Sequence, residues 1–217
     1  GDIIRNQLYP DQVLIGEANE TTGDLIEEVF TQLCENKPVY CRMSRLSAEI
    51  AKIATNCFLT TKISFANSIG DLAIKVGAEP EKILRAIGAD SRIGNKYLSY
   101  GFGFGGPCFP RDNKALGLFA RNNDYALLLS EATDEINKRH LAFQLQDYLD
   151  TYSEDEKIVF DGITYKKGSL LLDESQQFAL AFLLAKAGRK VVLRDQEVVL
   201  TAIKKEYDNL FDYEPNP

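Results

Sequence analysis

The sequence predicts an α/β chain whose centre is all helix. Three observations carry that reading. Residues 1–43 alternate strand-like and helix-like runs, residues 44–150 repeat apolar side chains at helical spacing, and residues 151–217 return to strand–helix–strand alternation. The expected division is therefore 1–43, 44–150 and 151–217, the last part a parallel α/β domain that is cut short.

Val13-Leu-Ile-Gly-Glu-Ala is an apolar run of strand length, Thr22–Leu33 has helical periodicity, and Pro38-Val-Tyr-Cys-Arg reads as a second strand. From Leu46 to Val76 the apolar residues keep the helical period, which predicts one long helix with Ser44 or Ser47 near its start. Helix continues to residue 150, broken at Gly77-Ala-Glu-Pro80, across a glycine-rich loop, and near Asn122-Asn-Asp124. Ile158-Val-Phe-Asp-Gly-Ile is a strand, Glu174–Ala187 a helix closed by Gly188, and Lys190-Val-Val-Leu-Arg a parallel strand. Glu197–Phe211 begins a further helix, so this domain is expected to hold one complete βαβ unit.

Of the 217 residues, 45% are hydrophobic and 26% charged, with a formal net charge of −7. That balance argues against a general nucleic-acid binder. It still allows an anionic small molecule at a few focused cations such as Lys52, Arg92 and Lys166. No apolar run is long enough to span a bilayer and no signal-peptide pattern is present, so no membrane partner is expected. Cys34, Cys41, Cys57 and Cys108 lack metal-ligand spacing, so no metal site is expected. A chain this long needs no disulfide staples, and the four are expected as reduced thiols in a cytoplasm, the first three buried. His140, the one histidine, is expected on a helix surface.

The most informative stretch is Gly101-Phe-Gly-Phe-Gly-Gly-Pro-Cys108-Phe-Pro-Arg-Asp112. Its glycines allow positive φ and close approach to a ligand. Pro110 suits the first turn of the amphipathic segment Asn113–Asn122. A thiol at that helix N-terminus is favoured as thiolate; the alternative is a turn carrying an inert, buried cysteine. Upstream, Lys52 and Asn56 stand four apart on one helix face, with Glu49 on nearly the same stripe. They are either a polar site or a solvated ion pair beside a helix-interior Asn.

Lys52-x-x-x-Asn56, then Arg92-Ile-Gly-Asn-Lys-Tyr97-Leu, then Phe104-Gly-Gly-x-Cys108-x-x-x-Asp112, in this order and spacing, resembles the nucleotide-sugar dehydrogenases, the UDP-glucose/GDP-mannose dehydrogenase family. GDP-mannose and UDP-N-acetylmannosamine members generally lack the Arg-Ile-Gly-Asn-Lys stretch in this form, which favours the UDP-glucose branch. The resemblance implies a central helical dimerisation region and a C-terminal Rossmann-like domain that binds UDP. It implies a four-electron, NAD-dependent oxidation of a UDP-sugar, UDP-glucose to UDP-glucuronate, in a homodimer or higher homo-oligomer.

It also implies roles. Cys108 would trap the intermediate aldehyde as a thiohemiacetal and carry it to a thioester. Lys52 and Asn56 would stabilise developing oxyanions or hold the attacking water. Asp112 would position Lys52 and water, its alternative being a first-turn acid that complements the helix dipole. Gly101, Phe104 and Gly105 would line the nucleotide and sugar, Tyr97 and Leu98 would lie near the nucleotide, and Lys166 would meet a phosphate or sugar oxygen. Arg92 would reach into the neighbouring subunit's site. Asp173 stands where the family commonly has arginine, which leaves the sugar open between glucose and a relative.

No G-x-G-x-x-G follows a strand anywhere in this chain. In the family that NAD fingerprint precedes a segment whose continuation resembles Tyr9-Pro-Asp-Gln-Val-Leu-Ile-Gly16. The expectation is a fragment with the main cofactor site and a catalytic glutamate upstream, inactive alone. Two other classes stay open: an assembly module built on amphipathic helices, and a hydroxyacid or 6-phosphogluconate-type dehydrogenase. The latter performs a single two-electron oxidation and needs no counterpart of Cys108.

Overall fold

The computed structural model describes residues 3–166 and 168–216. The fold mixes helices with parallel sheets and divides into two compact units, 1–56 and 57–217.

In the first unit, helix α1 (Ile3–Leu8) precedes strand β1 (Gln12–Glu17), helix α2 (Glu20–Leu33) and strand β2 (Val39–Ser44). β1 and β2 pair in parallel from Gln12 opposite Val39 to Glu17 opposite Ser44. Asn19 caps α2 by accepting from the Thr22 N–H at 3.0 Å, satisfying one of the donors that a helix start leaves open. Arg42 of β2 bonds Glu17 at 2.9 Å and Asp24 at 2.5 Å, tying strand to helix.

Helix α3 (Arg45–Lys75) is the long helix the periodicity predicts. It ends in a Schellman motif: Gly77, at φ +73°, donates to Ile74 O and Ala78 donates to Ala73 O. In the second unit, α4 (Pro80–Gly88), α5 (Phe109–Arg121) and α6 (Leu128–Thr151) follow. The break between α4 and α5 is longer than the glycine loop alone, because turn chemistry begins at Asp90. Its side chain accepts from the Arg92 N–H and its carbonyl from the N–H of Ile93 and Gly94. Lys62 of α3 then holds the carbonyl of Ile93 at 3.1 Å.

Strands β3 (Lys157–Asp161), β4 (Lys190–Asp195) and β5 (Asp212–Pro215) form a parallel sheet in that order, with helices α7 (Gln176–Lys186) and α8 (Glu197–Tyr207) as crossovers. The expected single βαβ unit is thus a βαβαβ unit. β5 escaped the sequence because Asp-Tyr-Glu-Pro has no strand-like apolar pattern; it pairs as an edge from Val192 opposite Asp212 to Asp195 opposite Pro215. Ile158, Phe160, Leu180, Leu184, Leu193 and Ile203 form the core, and Leu141, Leu145 and Tyr148 of α6 pack against it. Each such fully buried side chain contributes roughly 1.5–3 kcal/mol.

Candidate active site

Cys108 is the N-cap of α5, with Pro110 in the first turn as expected. It is an exposed thiol, whereas Cys57 is buried and Cys34 and Cys41 are partly exposed. The expected burial therefore holds for Cys57 alone. Cys34 caps the end of α2, and Cys41 lies in one strand of a two-stranded sheet, where neither is fully covered.

Cys108 opens into a cavity of about 470 Å³ lined by Ile63, Tyr97, Gly103, Phe104, Gly105, Pro107, Phe109, Tyr165 and Lys166. Five expected residues thus share one cavity: Tyr97, Phe104, Gly105, Cys108 and Lys166. Tyr97 sits at φ +61°, a conformation a bulky residue adopts only when its surroundings impose it. Its ring meets Phe109 edge-on at 6.4 Å.

The glycine loop is held from several sides. Asn137 of α6 accepts from Phe104 N–H at 2.9 Å and donates to Phe104 O at 3.0 Å. Asn67 of α3 accepts from Gly101 N–H at 3.2 Å and donates to Phe102 O at 3.4 Å. Gly106, at φ +81°, donates to Asp173 O at 2.9 Å, and a Cβ there would lie 2.4 Å from the Tyr165 ring. Asn67 and Asn137 carry no site role in the sequence reading. An Asn inside an amphipathic helix is a modest helix former, and that was the available signal.

Asp112 is buried in the first turn of α5; its N–H donates to Cys108 O at 2.8 Å and its carboxylate pairs with Arg111 at 3.0 Å. Its carbonyl oxygen accepts from the Cys57 thiol at 3.6 Å, joining α5 to α3. Lys52 and Asn56 lie one turn apart on α3. Leu98 is buried with Ala66 and Leu84 in a small core rather than lining the cavity. Gly101 is tied up internally, and Arg92 is exposed and paired with Asp90 at 2.6 Å. His140 is not on a surface: it is 1% exposed, held by Asp71 and Gly101 O. Helical periodicity assigns a face but cannot say that Asp71 stands opposite to receive it.

Among the described residues no group of His, Cys, Asp and Glu could hold a metal ion, and no helix is long and apolar enough to cross a membrane. The β1–α2 and β3–α7 turns do not fit a dinucleotide. Asn19 and Ser175 fill their helix starts with their own side chains, and no glycine-spaced turn joins strand to helix.

Residues 46–139 match the central domain of the UDP-glucose/GDP-mannose dehydrogenase family. A UDP-glucose 6-dehydrogenase of Rhizobium meliloti is 34% identical over 94% of this chain and 48% of its own length. Another, of Rickettsia bellii, is 34% identical over 78% of this chain and 40% of its own. A solved UDP-glucose dehydrogenase from Pyrobaculum islandicum superposes with a TM-score of 0.86 at 27% identity, across 98% of this chain and 49% of that one. The 46–139 segment is therefore a central domain of the UDP-glucose/GDP-mannose dehydrogenase family. The chain spans about half or less of the length of these relatives.

Proposed function

We propose that this chain supplies the sugar-nucleotide side and the nucleophile of a dehydrogenase that oxidises UDP-glucose to UDP-glucuronate in the cytoplasm. The observation that carries the reading is the exposed Cys108 thiol at the head of α5, in a cavity shared with Lys166, Tyr97 and Phe104. Taking a primary alcohol to a carboxylate removes two hydrides; NAD⁺ is the acceptor that the family resemblance implies. What these residues contribute is the covalent stage. Cys108 adds as thiolate to the C6 aldehyde, forming a C–S bond while the oxygen takes a proton. After the second oxidation the product is a thioester; water adds, the C–S bond breaks, and carboxylate and thiol are released.

Lys166 supplies a cation for phosphate or sugar oxygen at the cavity wall, and Gly105 and Phe104 lie against the ligand. By the same resemblance Lys52 and Asn56 stabilise the C6 oxyanion or hold the attacking water, and the role proposed for Asp112 is to position Lys52 and water. Leu98 and Gly101 then act from behind the cavity, by fixing its walls. The functional division remains 1–43, 44–150 and 151–217, with a dimer built on the helical middle and Arg92 reaching the neighbour's site. Phe58, Phe65 and Leu72 support that dimer: they are exposed and seven residues apart on α3.

The test is titration of the chain with UDP-glucose by calorimetry, alongside iodoacetamide labelling with peptide mapping. The reading expects saturable binding, weakened in Lys166→Ala, and protection of Cys108 by the nucleotide sugar. No binding, or preferential labelling of Cys57, contradicts it.

A further inference from the structure

His140 of α6 is buried, with acceptors at both ring nitrogens. Nε2 lies 2.6 Å from the Gly101 carbonyl oxygen, and Nδ1 lies 2.9 and 3.0 Å from the two Asp71 carboxylate oxygens. A carbonyl oxygen can only accept, so Nε2 carries a proton. An ionised carboxylate can only accept, so Nδ1 carries one as well, and a ring with two N–H groups is an imidazolium. The Asp71 side chain is 19% exposed.

Further contacts hold the His140–Asp71 pair in place. Tyr100 donates its hydroxyl to Asp71 at 2.9 Å, and its ring stands T-shaped to the imidazole with centroids 5.6 Å apart. Asp147 of α6 and Glu81 of α4 add negative charge around Tyr100. Gly70 of α3 makes the arrangement possible, since a Cβ there would lie 1.9 Å from the Tyr100 ring. Gln144, one turn along α6, aims its amide nitrogen at the same Gly101 carbonyl at 3.4 Å.

Gly101 opens the loop that leads to Cys108, and its N–H is already held by Asn67. Its position is therefore set from both sides, by a neutral amide and by a charged ring anchored in an ion pair. We infer that His140, as an imidazolium paired with Asp71, is a positioning residue that fixes the entry of the Gly101–Gly106 loop and so sets where the Cys108 thiol stands. This rests on the reading of Cys108 as the reactive thiol. His140 does not line the cavity, so it acts through the loop.

With one histidine in the chain, long-range ¹⁵N–¹H spectra of the imidazole report this ring alone. Near neutral pH both nitrogens are expected to bear protons, and Asp71→Asn should return one of them to the unprotonated form. A wild-type ring with one unprotonated nitrogen overturns the charged pair. The second arm measures iodoacetamide alkylation of Cys108 in Asp71→Asn and His140→Gln, near-isosteric changes chosen so that the chain still folds. Both should change the rate several-fold, with His140→Gln, which keeps a donor for Gly101, changed less than His140→Phe. Folded variants that alkylate at the wild-type rate overturn the positioning role while leaving Cys108 as nucleophile. A wild-type Cys108 as slow as Cys57 overturns the reading of the thiol itself, and this inference with it.

Discussion

Asn137 grips Phe104 by both peptide groups, accepting its N–H at 2.9 Å and donating to its carbonyl at 3.0 Å. One helix side chain thus does for the glycine loop what a neighbouring strand would do, and Phe104 is held buried beside the Cys108 cavity. Asn137→Asp removes the donor and leaves a carboxylate facing a carbonyl oxygen. A loss of roughly 1–3 kcal/mol is expected in urea unfolding. A change within experimental error would mean that the loop is held elsewhere.

Gly106→Ala should be costlier than Gly77→Ala. Both glycines have positive φ, +81° and +73°. A Cβ at Gly77 meets nothing within 4 Å, whereas at Gly106 it meets the Tyr165 ring. The control therefore carries the backbone cost alone, about 1 kcal/mol, and Gly106→Ala adds displacement of Tyr165 from the cavity wall. Equal melting temperatures in the two variants would contradict the contact.

Phe65→Glu should weaken self-association. Phe65 is 46% exposed on α3, between Phe58 and Leu72, and a charge on a buried apolar seam is strongly disfavoured. Light scattering at micromolar concentration is expected to give a dimer for the wild type and a shift to monomer for the variant. A monomeric wild type would remove the dimer from the account.

The Tyr100 hydroxyl is pushed well above the ordinary tyrosine range, first by burial and then by the charge of Asp71. An unfolded tyrosine ionises near pH 10. Above that the native state holds a proton the unfolded chain has lost, so stability falls as pH rises. The contribution is fully present below about pH 10 and is lost as pH climbs toward the folded value. Tyr148, raised by burial, acts in the same sense. The urea midpoint should drop between about pH 9 and 11, with a shallower slope in Tyr100→Phe. Identical slopes would contradict the assignment.

Much of this molecule was legible in the sequence, and the reasons differ by element. α3 was legible because thirty-one residues repeat one period, and α7 because Gly188 closes it in a left-handed conformation. β5 was not, since Asp-Tyr-Glu-Pro becomes a strand only through the edge that β4 offers. At the site, the family resemblance of the motifs that carry Cys108, Phe104 and Tyr97 pointed to residues that share a cavity. The supports did not show: Asn67, Asn137 and His140 matter through partners thirty to seventy residues away, and no local pattern records such pairings.

The covalent role of Cys108 is tested by counting NADH formed per UDP-glucose in the natural gene product and in Cys108→Ser. A hydroxyl is a far weaker nucleophile than a thiolate near neutral pH. Two NADH and one sugar acid per substrate are expected for the wild type. For Cys108→Ser, loss of net acid formation is expected, with UDP-glucose affinity retained. Cys108→Ser turning over at the wild-type rate with two NADH per UDP-glucose would contradict the covalent role.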